Sequence, residues 1–419
     1  MNRLAAVVLV APLVCAFAPA GGPELPSSKS TAPGVRPGVE VFVANPPAVV
    51  RGKRIGLITN QSGMDRQRRP TIDLIQAMPD VKLVALFSPE HGIRGVADTK
   101  VASGTDERTG LPIYSLYGET NKPTPEMLKD VDVLVYDIQD LGVRQYTFES
   151  TMALAMQAAA EKHIPFVVLD RPNPVTGTII EGNRLEPGFE TFVGIHPILS
   201  RHGLTMGELA KLYNAEQHIG ADLTVVPMEG WRRDMWWDET GLPWVNPSPN
   251  IRRLEAAIHY PGTVFFEAIN VSEGRGTPLP FEQIGAPWLD NAKLVATMNA
   301  MKLPGIRFEA VDIQSDSTAR KYPGEMLKGV RFVITDRKSY RPIAASLLMI
   351  EQIRKMHPDR FEWRGSSARD AGKLTIDRHG GTAKLRQAIE NGTVAALLKE
   401  WEKDQAEFRK NRAQYLIYR

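Results

Sequence analysis

Residues 54–63, RIGLITNQSG, read as a strand that runs straight into a polar cluster: Arg54–Thr59 is apolar and β-prone, and Asn60-Gln61-Ser62-Gly63 follows at once. The pattern recurs three times. Val81–Phe87 (VKLVALF) ends in Ser88-Pro89-Glu90-His91-Gly92, Val131–Tyr136 (VDVLVY) in Asp137-Ile138-Gln139-Asp140, and Phe166–Leu169 (FVVL) in Asp170-Arg171-Pro172-Asn173-Pro174. Helical segments lie among them and beyond: Thr71–Met78, Glu149–Lys162 with Met152, Met156 and Ala159 at helical spacing, and Thr205–Gln217, where Thr205 and Glu208 form a capping-box pair. Thr224–Pro227 is a further short strand. Strands alternating with helices predict parallel βαβ units. In a parallel sheet every strand carboxyl end lies on one edge, where ligands bind. The four polar clusters are therefore expected to wall one crevice, which favours an enzyme over a structural module.

Beyond residue 228 the character changes. Residues 228–290 hold Trp231, Trp236, Trp237, Trp244 and Trp288 among many Pro and Gly, a composition that predicts long structured loops rather than regular elements. A second unit follows, with a strand at Arg331–Thr335, a helix at Ala344–Met356 and an amphipathic helix at Thr393–Arg412 that carries Val394, Leu397, Leu398, Trp401 and Phe408 on one face. The expected fold is α/β: a Rossmann-like parallel sheet flanked by helices over residues 39–290, then a smaller α+β subdomain over residues 291–419.

The first 20 residues read as a signal peptide. Arg3 supplies the positive charge, Leu4–Phe17 the apolar core and Ala18-Pro19-Ala20 the cleavage site. Residues 21–38, rich in Pro, Gly and Ser, read as a disordered leader. Export to the periplasm or the medium is expected, with no stable membrane insertion after cleavage. Cys15 is the only cysteine, so the exported chain would have no disulfide, thiol nucleophile or thiolate metal site. A net charge of +3 over 419 residues, with both signs interspersed, does not suggest a nucleic-acid partner.

No G-x-G-x-x-G follows the first strand, and no P-loop, G-x-S-x-G or H-E-x-x-H occurs, so no cofactor is expected. His91, His196 and His202 match no short metal-binding spacing, and no metal is expected. Glu90, between Pro89 and His91-Gly92 at a strand end, is a candidate proton donor. Asp137, Gln139, Asp140, Arg144 and Tyr146 offer acceptors, an amide and a cation suited to a polyol, or equally an Asx-turn with a local ion pair. The Gly-rich run 270–277, NVSEGRGT, lets backbone approach a ligand while Arg275 clamps a carboxylate. Trp236, Trp237 and Trp244 suit stacking on sugar faces or burial in a loop core. A non-catalytic exported sugar-binding protein would use the same features. A carbohydrate esterase with Ser62 or Ser88 as nucleophile and His91 as base lacks an elbow motif.

Seven segments together resemble the exo-β-N-acetylmuramidases of the NamZ/YbbC type: LITNQSG (57–63), FSPEHGIRG (87–95), YDIQDLGVRQYT (136–147), LDRPNPVTG (169–177), RHGLTMGEL (201–209), NPSPNI (246–251) and NVSEGRGTPLPFE (270–282). The aromatic ending, Phe408 through Tyr418, is similar too. The resemblance implies two subdomains with a cleft between them, release of N-acetylmuramic acid from non-reducing ends of peptidoglycan fragments, and a catalytic role for the glutamate of the S-P-E-H-G motif, Glu90. Glu267, just before the Gly-rich loop, is the choice for the second catalytic group, with Asp137 and Glu273 as competitors. In a substrate-assisted route the 2-acetamido group attacks instead, oriented by an Asp or by Tyr146. Candidate substrate contacts from these motifs are Asn60, His91, Asp137, Gln139, Arg144, Tyr146, Asn173, Arg201, His202, Asn250, Asn270 and Arg275. Arg144, Arg201 and Arg275 are the candidates for gripping the lactyl carboxylate, and the Trp-rich loops from 231 to 244 for closing the pocket end.

Overall fold

The computed structural model describes residues 34–95, 102–365 and 373–419. The expected signal peptide and most of the expected leader lie outside these residues. Residues 34–38, expected in the disordered leader, are instead packed: Val35 is buried with Met228, Trp231 and Met235, and helix α1 spans Gly38–Ala44.

The first unit is built on a seven-stranded sheet of order β3-β4-β2-β1-β5-β6-β9, in which β1 is Arg54–Thr59, β2 Lys82–Ser88, β3 Gly104–Thr105, β4 Pro112–Ser115, β5 Val133–Asp137, β6 Phe166–Leu169 and β9 Leu223–Val226. All pairs are parallel except β3 with β4. The central strands β1 and β5 are buried almost throughout, as expected of strands covered on both faces. Helices α2 (Thr71–Gln76), α3 (Phe148–Lys162) and α4 (Met206–Glu216) follow strands as the alternation predicts, and α4 starts with the reciprocal Thr205–Glu208 capping box. Because β2 and β4 lie on one side of β1 and β5, β6 and β9 on the other, the strand order reverses between β1 and β5. A small hairpin of β7 (Glu181–Arg184) and β8 (Leu199–Arg201) stands apart from this sheet.

The second unit is an antiparallel sheet of order β10-β12-β11 (β10 Gln283–Ala286, β11 Ile306–Gln314, β12 Met326–Ile334). Helices α5 (Leu254–Thr263), α6 (Asn291–Ala300), α7 (Pro342–Met356), α8 (Thr375–Gly380), α9 (Lys384–Asn391) and α10 (Val394–Arg412) complete it. Two expectations need correction. Residues 228–290 are not loops throughout: α5 carries buried Leu254, Ala257, Ile258 and Tyr260, and ends two residues after Pro261, which has no N–H to donate back to the preceding turn. Residues 254–290, expected with the first unit, pack with the second, α5 against α7 and β10 against β12.

Buried polar groups join the units. The Arg144 guanidinium donates to carbonyls of Asn183, Ile198, His379 and Gly380, and Ala344 N–H at the start of α7 donates to Glu181 at 2.8 Å. The chain end returns to the first sheet, where the Tyr418 hydroxyl donates to Asp170 beside α4 at 2.7 Å.

Candidate active site

The crevice at the β1/β5 reversal, where an open α/β sheet ordinarily takes its ligand, is closed. Asp137 at the end of β5 accepts from both Nε and Nη2 of Arg171 and from the Thr71 hydroxyl, with Arg171 and Asp137 almost wholly buried. Asn60 accepts from Ser62, Ser62 accepts from the Gln139 backbone N–H, and the Gln139 amide donates to carbonyls of Asp140 and Pro172. Asn173 donates to Leu204 O and accepts from Val175 N–H. Trp237 and Leu242 cover this network, leaving a void of about 20 Å³.

The large cavity, about 670 Å³, opens instead at the seam of the two units. Glu90 reaches it because β2 ends at Ser88 and the chain then turns sharply, with His91 (φ 71°) and Gly92 (φ 79°) both left-handed. A histidine held there is a strained choice of the kind found at functional sites. The Thr147 hydroxyl, at the start of α3, donates to the Glu90 carboxylate at 2.5 Å and fixes its orientation. From the second unit comes Glu267, on the single 3-10 turn after α5. One of its oxygens accepts from Arg275, and the other lies 3.1 Å from His379 Nε2. Burial raises the Glu267 carboxyl, but the Arg275 guanidinium and His379 outweigh it and hold the group well below the usual carboxylate range. Arg275 also donates to Glu273 at 2.9 Å and lies over the Phe281 ring. Tyr146 and Tyr260 meet edge-to-face at 5.6 Å, and burial keeps both phenols protonated well beyond neutral pH. The cavity thus holds one carboxyl steadied by a hydroxyl and one clamped as an anion. Among the described residues no group of three or more His, Cys, Asp or Glu is placed to hold a metal.

Of the residues singled out from sequence, Glu90, His91, Tyr146, Asn250, Glu267 and Arg275 line this cavity. The others do not. Asn60, Asp137, Gln139 and Asn173 belong to the closed network. Arg144 is spent on backbone carbonyls, and Arg201 is buried, donates to Val175 O and lies near Glu181. His202 is buried beside Glu149, its pKa lowered to about 3 by burial and by Arg412 and Arg144. Asn270 faces an outer shelf, bonded to Arg360 O and Glu362 N–H. Ser62 and Ser88 are buried outside the cavity, which removes the esterase geometry. Trp236 and Trp237 are core residues and Trp244 packs edge-on against Trp237, so the tryptophan loops do not line the pocket. Sequence reasoning missed Thr147, Gln145, Tyr260, Phe281 and His379. Thr147 stood at the end of a motif already noted. His379 carried no signal, because its partner Glu267 is 112 positions away.

Two family descriptions, the N-terminal and C-terminal parts of the exo-β-N-acetylmuramidase NamZ, match residues 55–255 and 258–418. The chain belongs to the NamZ family. The peptidoglycan β-N-acetylmuramidase NamZ of Bacillus subtilis (strain 168) is 45% identical over 404 residues, covering 96% of this chain and 95% of that one. Two crystal structures of DUF1343 family proteins from Bacteroides fragilis NCTC 9343 superpose with TM-scores of 0.84 and 0.70, at 38% and 30% identity, each covering 92% of this chain and 99% of its counterpart. The NamZ parts meet between residues 255 and 258, where α5 begins, and the cavity lies across that junction.

Proposed function

We infer that this NamZ-family chain is an exo-acting glycosidase that releases N-acetylmuramic acid from the non-reducing ends of peptidoglycan fragments. The observation that carries the reading is the meeting of Glu90 with Glu267, the latter held as an anion by Arg275 and His379, around one cavity at the seam. Cleavage of a glycosidic bond passes through an oxocarbenium-like state and needs a proton for the leaving oxygen and a negative partner for the sugar ring. Glu90, oriented by Thr147, gives the proton as general acid and takes one back from water. Glu267 cannot serve as acid at neutral pH. It faces the developing positive charge, or holds the acetamido N–H if the substrate's own carbonyl attacks.

N-acetylmuramic acid carries a lactyl carboxylate, which calls for a cation. Arg144 and Arg201 lie elsewhere and Arg275 has the separate task of holding Glu267; we assign this role among Arg320, Lys373 and Arg378, which line the second unit's side of the cavity. We assign the closed end of the pocket to Tyr117 and Phe192, whose rings meet at 5.9 Å across two loops. We place the enzyme outside the cytoplasm, periplasmic or secreted, on the N-terminal pattern of Arg3 and Leu4–Phe17. Among the described residues no helix is long and apolar enough to cross a membrane.

The test is product analysis on defined muropeptide disaccharides together with a chromogenic N-acetylmuramic acid glycoside. Free N-acetylmuramic acid and released aglycone are expected. Saturable binding with no turnover would replace the enzyme by a sugar-binding protein.

A further inference from the structure

Lys321 does not touch the reaction cavity, yet it is built into the loop that forms it. Its side chain is 7% exposed and lies in the connection between β11 and β12. The ammonium has three donors, and all three are used: to Phe266 O at 2.7 Å, Val271 O at 2.8 Å and Glu273 Oε2 at 2.8 Å. The two carbonyls flank Glu267. Around this point two carboxylates, Glu267 and Glu273, share one guanidinium, Arg275, and Lys321 brings the charge count to balance. His379 faces Glu267 from α8, Glu90, Tyr146 and Tyr260 stand across the cavity, and Arg364 adds positive charge beside Lys321.

We propose that Lys321 is a positioning residue for the anionic half of the site, locking the backbone on both sides of Glu267 and neutralising Glu273 so that Arg275 stays committed to Glu267. The proposal rests on the glycosidase reading above. Burial lowers the Lys321 ammonium while Glu273 holds it up, so the group depends on its carboxylate partner. Its surroundings also make it testable, because Lys321 borders an outer shelf of about 490 Å³, with Trp288 and Tyr322, through which a small amine can enter.

Wild-type turnover on the chromogenic glycoside is measured first, and its absence ends both the reading and the proposal. With an active wild type, Lys321→Met is expected to lower kcat by ~10- to 100-fold while KM stays within ~3-fold, the size of a misplaced catalytic group. Lys321→Arg, which keeps the charge, should retain more turnover than Lys321→Met. In Lys321→Ala, n-butylamine should restore kcat by ~10-fold, whereas n-butanol, of the same size without charge, should not. A kcat within ~3-fold of wild type in Lys321→Met, loss shared equally by KM, no recovery with the amine, or equal recovery with n-butanol overturns the role while leaving the glycosidase reading intact.

Discussion

The crevice at the β1/β5 reversal and the cavity at the seam are made of the same residue types and have opposite fates. In the first, Asp137 pairs with Arg171 while Asn60, Gln139 and Asn173 bond to the turns around them, leaving about 20 Å³. In the second, Glu90, Glu267, Arg275 and His379 pair just enough to be held in place and still border about 670 Å³. The difference lies in what covers them. The Trp237 loop sits directly on the first group, whereas the second is shared between two units that do not fill the space between them. A buried polar cluster without access to solvent is a structural joint, whatever its composition.

The largest effect that sharpens this contrast is expected at Glu90. Glu90→Gln keeps the Thr147 contact and removes the ionisable group, so kcat should fall by ~100-fold or more with the melting temperature unchanged. Near-wild-type turnover would reject the general-acid role. The mirror experiment is Arg171→Ala, which leaves Asp137 buried without its ion pair. A loss of about 3–5 kcal/mol of stability in denaturant unfolding is expected. If the variant instead unfolds like wild type and loses only activity, the crevice belongs to the site after all.

A smaller effect should appear at the lactyl-binding side. Replacing Arg320, Lys373 and Arg378 singly by Gln, one change should raise KM for the muramic substrate ~10-fold and spare a glucosamine analogue, the worth of a charged hydrogen bond. Equal losses on both sugars would dismiss the assignment.

The closed network also has a pH signature. Burial pushes the Asp140 carboxyl up to about 7, against hydrogen bonds from Gly142 and Leu141 N–H. A carboxyl whose folded pKa lies above its unfolded value of about 4 weakens the fold as pH rises through that window. Asp140→Asn should therefore melt with wild type near pH 4 and about 2 °C or more above it at pH 8. A difference that is constant with pH would mean that Asp140 does not titrate there. Last, Trp244→Ala should leave kcat within ~2-fold, as expected for a side chain that does not line the cavity. A collapse of turnover would return the tryptophan loop to the pocket.

The alternating strands and helices, the Thr205 cap and the apolar face of the last helix could be read directly, because each follows from residues within a few positions of one another. The place of Glu90 on the cavity was legible for the same reason: a carboxylate beside Pro89, His91 and Gly92 at a strand end falls on the ligand-binding edge, although it also reads as a loop-fixing or helix-capping group. Glu267 and Arg275 were visible only as neighbours of a Gly-rich run, and His379 and Lys321 not at all. The tryptophan loop misled, since a dense aromatic stretch reads alike as a binding wall or a plug.

Local sequence thus determined the parallel α/β unit, the existence of a second smaller unit, the family and the leading catalytic candidate. Tertiary structure alone decided which polar cluster stays open to a sugar. That outcome depends on a loop from residues 237–242 landing on one cluster and on α5 and α8 bringing carboxylate, guanidinium and imidazole to the other. Contacts spanning a hundred residues or more leave no periodicity or spacing in the chain, because they arise only when separate elements pack.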